Sequence, residues 1–253
     1  MRLTDRVAIV TGAGSGIGAA SALAMAAEGA RVLVADVNEA GAKATVQKIE
    51  AARGQAMAMT ADVTRAADNQ AIVERAIAAW GRLDVFFANA GVPQWKTDVE
   101  DVDEKTFDTI FDVNVKGVYL GAKYALPVMK RARRGVFLIT ASTAALRPRP
   151  GGQLYAASKG AVVTLTKALA LEVAPHGVRV VAICPVATHT PMLPTFMGKQ
   201  QVDAEGLERY EKTVPLGRLN QPEDIANTAV FLASDDAAMI TGSAIEVDGG
   251  RCI

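Results

Sequence analysis

The sequence holds only two cysteines, Cys184 and Cys252, among 253 residues. They lack metal-ligand spacing and give no disulfide framework, which fits a reducing compartment and predicts no metal site. Neither sign of charge is in surplus: 27 Lys and Arg stand against 27 Asp and Glu. That balance argues against an electrostatic footprint for nucleic acid or an anionic membrane. No apolar run approaches the ~18 residues of a membrane helix. The stretch Met1-Arg2-Leu3-Thr4-Asp5-Arg6 is too polar, and too soon followed by a strand pattern, for a signal peptide. Linkers, repeats and low-complexity segments are missing too. These absences predict a soluble cytoplasmic protein with a single domain over residues 1–253, and no membrane or nucleic-acid partner. Half the residues are hydrophobic, so a large core is available.

What is present begins with Val7-Ala8-Ile9-Val10, an apolar run too short for a helix and read as a buried parallel strand. It flows into Thr11-Gly12-Ala13-Gly14-Ser15-Gly16-Ile17-Gly18 and then an Ala-rich helix reaching about Glu28. Strand, glycine turn and helix start are the context of a dinucleotide-binding loop. Gly12 permits the tight turn, Gly16 and Gly18 allow close approach, and the free N–H groups at the helix start can face a pyrophosphate. A second strand, Arg31–Asp36, ends in a carboxylate about twenty residues later, where an acid accepts from both adenosine ribose hydroxyls and repels a 2′-phosphate. Asp36 thus predicts NAD(H), a helix N-cap being the alternative. After a helix near 39–52 and a strand over 56–60 come Asp62 and Val63. Asp62 either accepts from the adenine amino group or caps the helix near 65–80. A fourth strand, 83–88, runs into Asn89-Ala90-Gly91; Asn89 pins the central strands or is an ordinary turn residue, and Gly91 lets the backbone pass close to adenosine.

A helical pattern over 103–129 carries Asn114 among Phe111, Val113, Val115 and Val118, where a buried amide needs partners and can distort the helix. The fifth strand, 135–140, places Ser142 just past its carboxyl end, where open α/β sheets bind ligands. If 155–174 is helical, Tyr155 and Lys159 stand one turn apart on one face, which most such pairs do merely as surface neighbours. A cation about 4 Å from a phenol at an effective dielectric of about 20 is worth roughly 4 kcal/mol, enough to bring its pKa from ~10 to ~7. A sixth strand, 178–184, ends at Pro185. The long stretch 186–213, rich in Pro and Met, reads as a mobile substrate lid. A helix from Pro222 and a strand and turn over 245–250 close the chain.

Jointly, Thr11-Gly12-x-x-x-Gly16-Ile17-Gly18, Asp62, Asn89-Ala90-Gly91, Asn114, Ser142, Tyr155-x-x-x-Lys159 and Val247-Asp248-Gly249-Gly250 make the chain resemble the short-chain dehydrogenase/reductase family over nearly its whole length. The resemblance implies an α/β, Rossmann-like doubly wound fold with a seven-stranded parallel sheet in order 3-2-1-4-5-6-7 and helices on both faces. It implies Tyr155 as acid/base and Ser142 as hydrogen-bond partner of the substrate carbonyl. Lys159 would bind the nicotinamide ribose and lower the tyrosine pKa, while Asn114 holds a water in a proton relay. Ser15 and Ile17 in the loop, Val63, Ala90 and Pro185, with Thr188 and Thr190 near the nicotinamide carboxamide, complete the implied cofactor set. A homotetramer is also implied. The helix over 155–174, apolar or small nearly all round, independently calls for a partner face. One departure is Pro185-Val186, where the family has Pro-Gly; a β-branched residue disfavours φ > 0, so that turn must differ if the glycine needs such geometry.

The expected activity is reversible, NAD(H)-dependent hydride transfer on a secondary alcohol or ketone, a small-molecule substrate. Leu146, Gln153, Val92, Trp95, Met192 and Phe196 are candidate pocket walls. Arg147 and Arg149 read as solvated loop charges rather than anion receptors, and His189 as an exposed loop residue rather than a substrate contact. A 3-oxoacyl thioester reductase, a sugar dehydrogenase and a catalytically silent NAD-binding sensor or scaffold are the competing readings.

Overall fold

The computed structural model describes all 253 residues, Met1–Ile253. Seven strands form one parallel sheet: β1 (Val7–Thr11), β2 (Arg31–Asp36), β3 (Gln55–Thr60), β4 (Val85–Ala88), β5 (Gly135–Thr140), β6 (Val178–Pro185) and β7 (Ala244–Val247). Their order is β3-β2-β1-β4-β5-β6-β7, the doubly wound arrangement, with register such as Ile9 opposite Leu33 on one side and Phe86 on the other. The order reverses between β1 and β4, which opens a crevice at the carboxyl ends of those strands.

Alternation along the strands builds two cores. Val7 and Ile9 join one face, Ala8 and Val10 the other. The first face is covered by α3 (Ala66–Trp80), α5 (Gly117–Ala132) and α6 (Gln153–Val173), the second by α1 (Gly16–Ala27), α2 (Glu39–Ala51) and α9 (Pro222–Ala233). Because both faces are buried, the inner strands read as continuous apolar runs, which is why they were legible without a period. The last strand and turn are as expected: β7 ends at Val247, and Gly249 and Gly250, at φ +60° and +85°, form the turn.

The expected helix over 103–129 is interrupted. It begins as α4 (Glu104–Phe111), widens into one π turn, Asp112–Lys116, and continues as α5. Asn114 sits within that turn, fully buried, so the distortion anticipated from a buried amide is present. The stretch 186–213 is not a bare loop. It carries α7 (Leu193–Phe196) and α8 (Ala204–Glu211) around a small core of Val186, Leu193, Val214 and Leu219.

Candidate active site

At the switch point lies a cleft of about 1100 Å³. The glycine loop forms one wall. Gly12 has φ +63°, a conformation L side chains rarely adopt, and a β-carbon on Gly18 would fall 2.2 Å from the Gly12 carbonyl. Glycine is therefore required for α1 to start this close to β1, and the leading N–H groups of α1 have no carbonyl within the helix to bond. Ser15, exposed, precedes α1, and Thr190 approaches Gly16, its Cγ2 3.1 Å from where a β-carbon would stand. Gly12, Ser15, Gly16, Ile17, Gly18, Asp36, Asp62, Val63, Asn89, Ala90, Gly91, Pro185, Thr188 and Thr190 all line this one cleft.

The acids settle their alternatives. Asp36 does not cap α2; Asn38 does, accepting from Gly41 N at 3.2 Å. Asp36 instead accepts from Gly14 N and Asn38 N, both at 2.8 Å, and each oxygen keeps a lone pair for a ligand hydroxyl. Asp62 does not cap α3, whose N-cap is Arg65; its Oδ1 accepts from Thr64 N and Thr64 Oγ1 at 2.9 and 2.8 Å. Asn89 does pin the centre. Its amide donates to Thr11 O at 3.0 Å and Gly12 O at 3.3 Å, and its Oδ1 accepts from Thr140 Oγ1 at 2.9 Å. Gly91 lines the cleft as expected, but its tightest neighbours are Asn114 Oδ1 and Lys159 Nζ, 3.2 and 3.4 Å from a modest β-carbon.

Ser142, Tyr155 and Lys159 converge at the other end of the cleft. Lys159 is 3% exposed and donates to the Thr140 carbonyl at 2.7 Å. Its Nζ lies 5.7 Å from the centre of the Tyr155 ring. Burial pushes the Tyr155 phenol up to about 12, with the hydrogen bond from Ser142 acting against it, and burial pulls the Lys159 ammonium down to about 8. The expected phenol near 7 is not the state of the protein alone. The Coulomb argument left out desolvation, which disfavours the charged form of each group and is the largest cause of both shifts. Asn114 is satisfied by Val92 N and O, at 2.8 and 3.0 Å, and by Ser158 Oγ at 3.1 Å.

Two parts of the site escaped the sequence. Thr140 supplies the carbonyl that holds Lys159. Gln94, 4% exposed, accepts with one Oε1 from Leu154 N and Tyr155 N, at 2.9 and 3.0 Å, and so caps α6 at the residue before and the residue of the phenol. Its Nε2 has no partner. An N-cap supplied from a distant loop leaves no local pattern to read.

Among the expected walls, Val92, Met192 and Phe196 line the cleft, and Phe196 meets Tyr155 edge-on at 5.0 Å. Leu146, Gln153 and Trp95 do not line it; Trp95 and Leu146 are 49% and 44% exposed, and Gln153 bonds Thr97 O. Arg147 and Arg149, read as solvated charges, both stand in the cleft lining, whereas His189 does not. The Val186 departure is resolved by ordinary backbone: it lacks positive φ, and its N donates to Val247 O at 3.1 Å. Cys252 comes within 4.8 Å of Glu246 and Asp248. Burial and those carboxylates push its thiol up to about 12.

Two outcomes are expected from this geometry. Gln94→Leu should cost about 1–3 kcal/mol in urea unfolding and speed hydrogen exchange at Leu154 and Tyr155, with Gln94→Glu retaining the cap; unchanged exchange in the Leu variant refutes the capping role. The second follows from Lys159. Its folded pKa, about 8, lies below its ordinary 10.5, so between those pH values the unfolded chain binds the extra proton and folded stability rises with pH. Compared with Lys159→Met, the wild type should gain about 3 kcal/mol from pH 8 to 10.5. A flat difference across that window means the ammonium is not desolvated.

A family model described as enoyl-(acyl carrier protein) reductase matches residues 12–251. The chain is 45% identical over the whole of both sequences to the 4-formylbenzenesulfonate dehydrogenase of Comamonas testosteroni. A crystal structure of a 3-ketoacyl-(acyl-carrier-protein) reductase from Brucella melitensis complexed with NADH superposes with TM-score 0.92 at 43% identity, over 99% of this chain and 100% of that one. Levodione reductase superposes with TM-score 0.94 at 34% identity, over 99% of both chains. With matches across its full length and the same seven-stranded order, the chain belongs to the short-chain dehydrogenase/reductase family and is an oxidoreductase.

Proposed function

We propose that the protein is an NAD(H)-dependent alcohol dehydrogenase and ketone reductase acting reversibly on a secondary alcohol or ketone. The observation that carries this reading is the meeting of Ser142, Tyr155 and Lys159 at one end of a cleft whose other end is the glycine loop and Asp36. The cleft fits a dinucleotide. The loop residues Gly12, Ser15, Gly16, Ile17 and Gly18, with the start of α1, face the pyrophosphate position. Asp36 takes the adenosine ribose, Asp62 and Val63 the adenine, and Asn89, Ala90 and Gly91 the floor beneath. Pro185, Thr188 and Thr190 flank the nicotinamide end, and Lys159 serves its ribose. When bound, the nicotinamide supplies the hydride acceptor or donor.

The residues handle the proton. Tyr155 donates from its phenol oxygen to the substrate oxygen in reduction and accepts there in oxidation. Burial keeps the phenol protonated in the free protein, the form needed for reduction. For oxidation, Lys159 places a fixed positive charge where the phenolate forms. Ser142 Oγ accepts from Ala144 N at 3.1 Å, and its proton, shared with the Tyr155 oxygen in the free protein, turns to steady the substrate oxygen. Asn114, meeting Lys159 at Gly91, would hold the water that returns protons from solvent. Phe196, on the segment 186–213, closes over Tyr155, consistent with that segment acting as a lid.

The relatives act by name on an aromatic aldehyde, a dione and a 3-ketoacyl carrier, so these carbonyl classes and sugars form the assay panel. The 3-ketoacyl neighbour was solved with NADH, so a preference for NAD does not by itself exclude a thioester. Placement in the cytoplasm accords with the two unpaired cysteines, and no helix is long and apolar enough to cross a membrane.

The test is NADH formation or consumption across the panel. Tyr155→Phe should lose at least ~10²-fold in turnover while still binding NADH; a Phe variant that keeps most of its rate overturns the mechanism. On the same substrate the wild type should favour NAD over NADP by ~10²-fold or more, because Asp36 faces a phosphate and the neighbouring Val37, 72% exposed, offers no cation. Asp36→Ala with Val37→Arg should shrink or invert that preference. Equal use of NADP by the wild type would remove Asp36 from the ribose site.

The partner proposed is further copies of the same chain, as a homotetramer. Phe111, Val115, Tyr119, Ala161, Leu165 and Ala168 line a shallow apolar hollow between α5 and α6, and Tyr119 and Leu171 are 52% and 80% exposed. Light scattering at micromolar concentration should give four chains, and a stable monomer sinks the proposal.

A further inference from the structure

The cleft is electrically lopsided. Six cations line it, Lys96, Arg147, Arg149, Lys159, Arg209 and Arg251, against two carboxylates, Asp36 and Asp62, in a chain whose charges balance as a whole. Both acids belong to the end formed by β2 and β3. Lys159 is committed to Thr140 O, Arg209 pairs with Glu205 at 3.3 Å, and Arg147 donates to main-chain oxygens of Arg251 and Ile253 at 2.7 and 3.3 Å. Lys96, Arg149 and Arg251 form no ion pair and no side-chain hydrogen bond, and of these Lys96 and Arg149 are the two that meet the segment carrying Phe196 and Tyr210.

Those two stand on the substrate side. The Arg149 guanidinium lies over the Tyr210 ring at 5.5 Å. Tyr210 in turn donates from its hydroxyl to Phe196 O at 2.7 Å, and the Phe196 ring packs on Tyr155. Lys96 runs along Gly151, where a β-carbon would fall 2.5 Å from its Cγ, and faces Gly198, whose β-carbon would stand 3.6 Å from its Cβ. A lysine stem threaded between the loop after β5 and the lid, and an arginine stacked on the lid's own tyrosine, are cations held at the rim of the cleft, one aromatic layer out from the phenol. The glycine loop, where the pyrophosphate would lie, is on the opposite wall.

We infer that Lys96 and Arg149 form an anion-recognition subsite, so that the preferred substrate carries a carboxylate or sulfonate across a short apolar body from its reacting carbonyl or carbinol. Val92, Met192 and Phe196 cover that body. A planar guanidinium pre-set by an aromatic face binds such an oxyanion through two parallel N–H donors at little ordering cost, and Lys96 adds a point charge. The inference rests on the oxidoreductase reading above. A small anion suits the subsite better than an acidic carrier protein, because Lys96 lies along Gly151 and Gly198 and Arg149 stacks on Tyr210, so both exposed side chains belong to the cleft lining.

The experiment compares kcat/KM, with NADH, for 4-acetylbenzoate and 4-acetylbenzenesulfonate against acetophenone and the isosteric neutral 4-acetylbenzamide, at low and high salt. Calorimetric titration of the NADH-saturated protein with benzoate and with benzamide gives a second readout. The anions should exceed the amide by about tenfold or more, an advantage that shrinks with salt. The anion-to-amide ratio should fall severalfold in Arg149→Gln and in Lys96→Gln, and invert in the Arg149→Glu, Lys96→Glu double variant. Equal use of anion and amide, with activity on both, overturns the subsite and leaves the oxidoreductase reading standing. If no ketone is reduced, that reading fails on its own, and the calorimetric preference for benzoate, or its absence, decides the subsite. Acetoacetyl-acyl carrier protein outpacing every small anion, and losing that lead in the same variants, overturns the inference in favour of protein docking.

Discussion

The bond from the buried Lys159 ammonium to the Thr140 carbonyl ties the helix that carries Tyr155 to the end of the central sheet. Thr140 ends β5, and its hydroxyl donates to Asn89 at the end of β4; Asn89 then donates to Thr11 and Gly12 at the end of β1. One chain of hydrogen bonds thus runs from the helix carrying Tyr155, across the tips of three strands, to the turn that opens the glycine loop. Parallel strands leave their last carbonyls without partners at that edge, and the side chains that satisfy them are the ones that shape the site. The ends of the sheet and the proposed chemistry are therefore a single problem of polar satisfaction.

That arrangement has a cost, and the cost explains the direction of the pKa shifts. A lysine at 3% exposure with one carbonyl for a partner is held well below its ordinary pKa. A phenol at the floor of the same cleft is held above its own. Desolvation acts on both with the same sign, against charge, and is the largest cause in each case. The protein alone stores the phenol as an acid. Active sites commonly carry such destabilising placements, and the rest of the fold absorbs this one: two complete apolar layers flank the sheet directly beneath.

How far the sequence could be read depended on where each interaction is encoded. The inner strands, the glycine turn and the Tyr155–Lys159 spacing are local in the chain, and local rules recover them. Asn114 was legible as a problem, a buried amide in an apolar stretch, and the π turn around it is the backbone's answer. Gln94 was not legible, because its partners, Leu154 and Tyr155, lie sixty residues on and nothing near it calls for a cap. Thr140 was passed over since it acts through its carbonyl, which every residue has. The phenol's direction went astray for a different reason: charge spacing can be read from a helical repeat, whereas burial is a property of the finished fold.

The arginines show where that boundary matters for specificity. Arg147 and Arg149 lie in a short loop after β5, a setting in which solvated charge is the ordinary outcome. Arg149 meets the cleft wall through Tyr210, which packs on the small core of Val186, Leu193, Val214 and Leu219, while Arg147 is held by the main-chain oxygens of Arg251 and Ile253. Val186 heads that core and bonds β7 through its N–H, so a residue that departs from the usual glycine also anchors the wall on which Tyr210 and Phe196 stand. The proton-handling groups hang from strand ends, fixed by the sheet. The groups proposed to face the rest of the substrate hang from segments that pack on one another, Arg149 on Tyr210 and Tyr210 on Phe196. Substitution in that second layer leaves the hydrogen-bond chain through Thr140 and Asn89 untouched, because none of its members bonds Arg149, Tyr210 or Phe196.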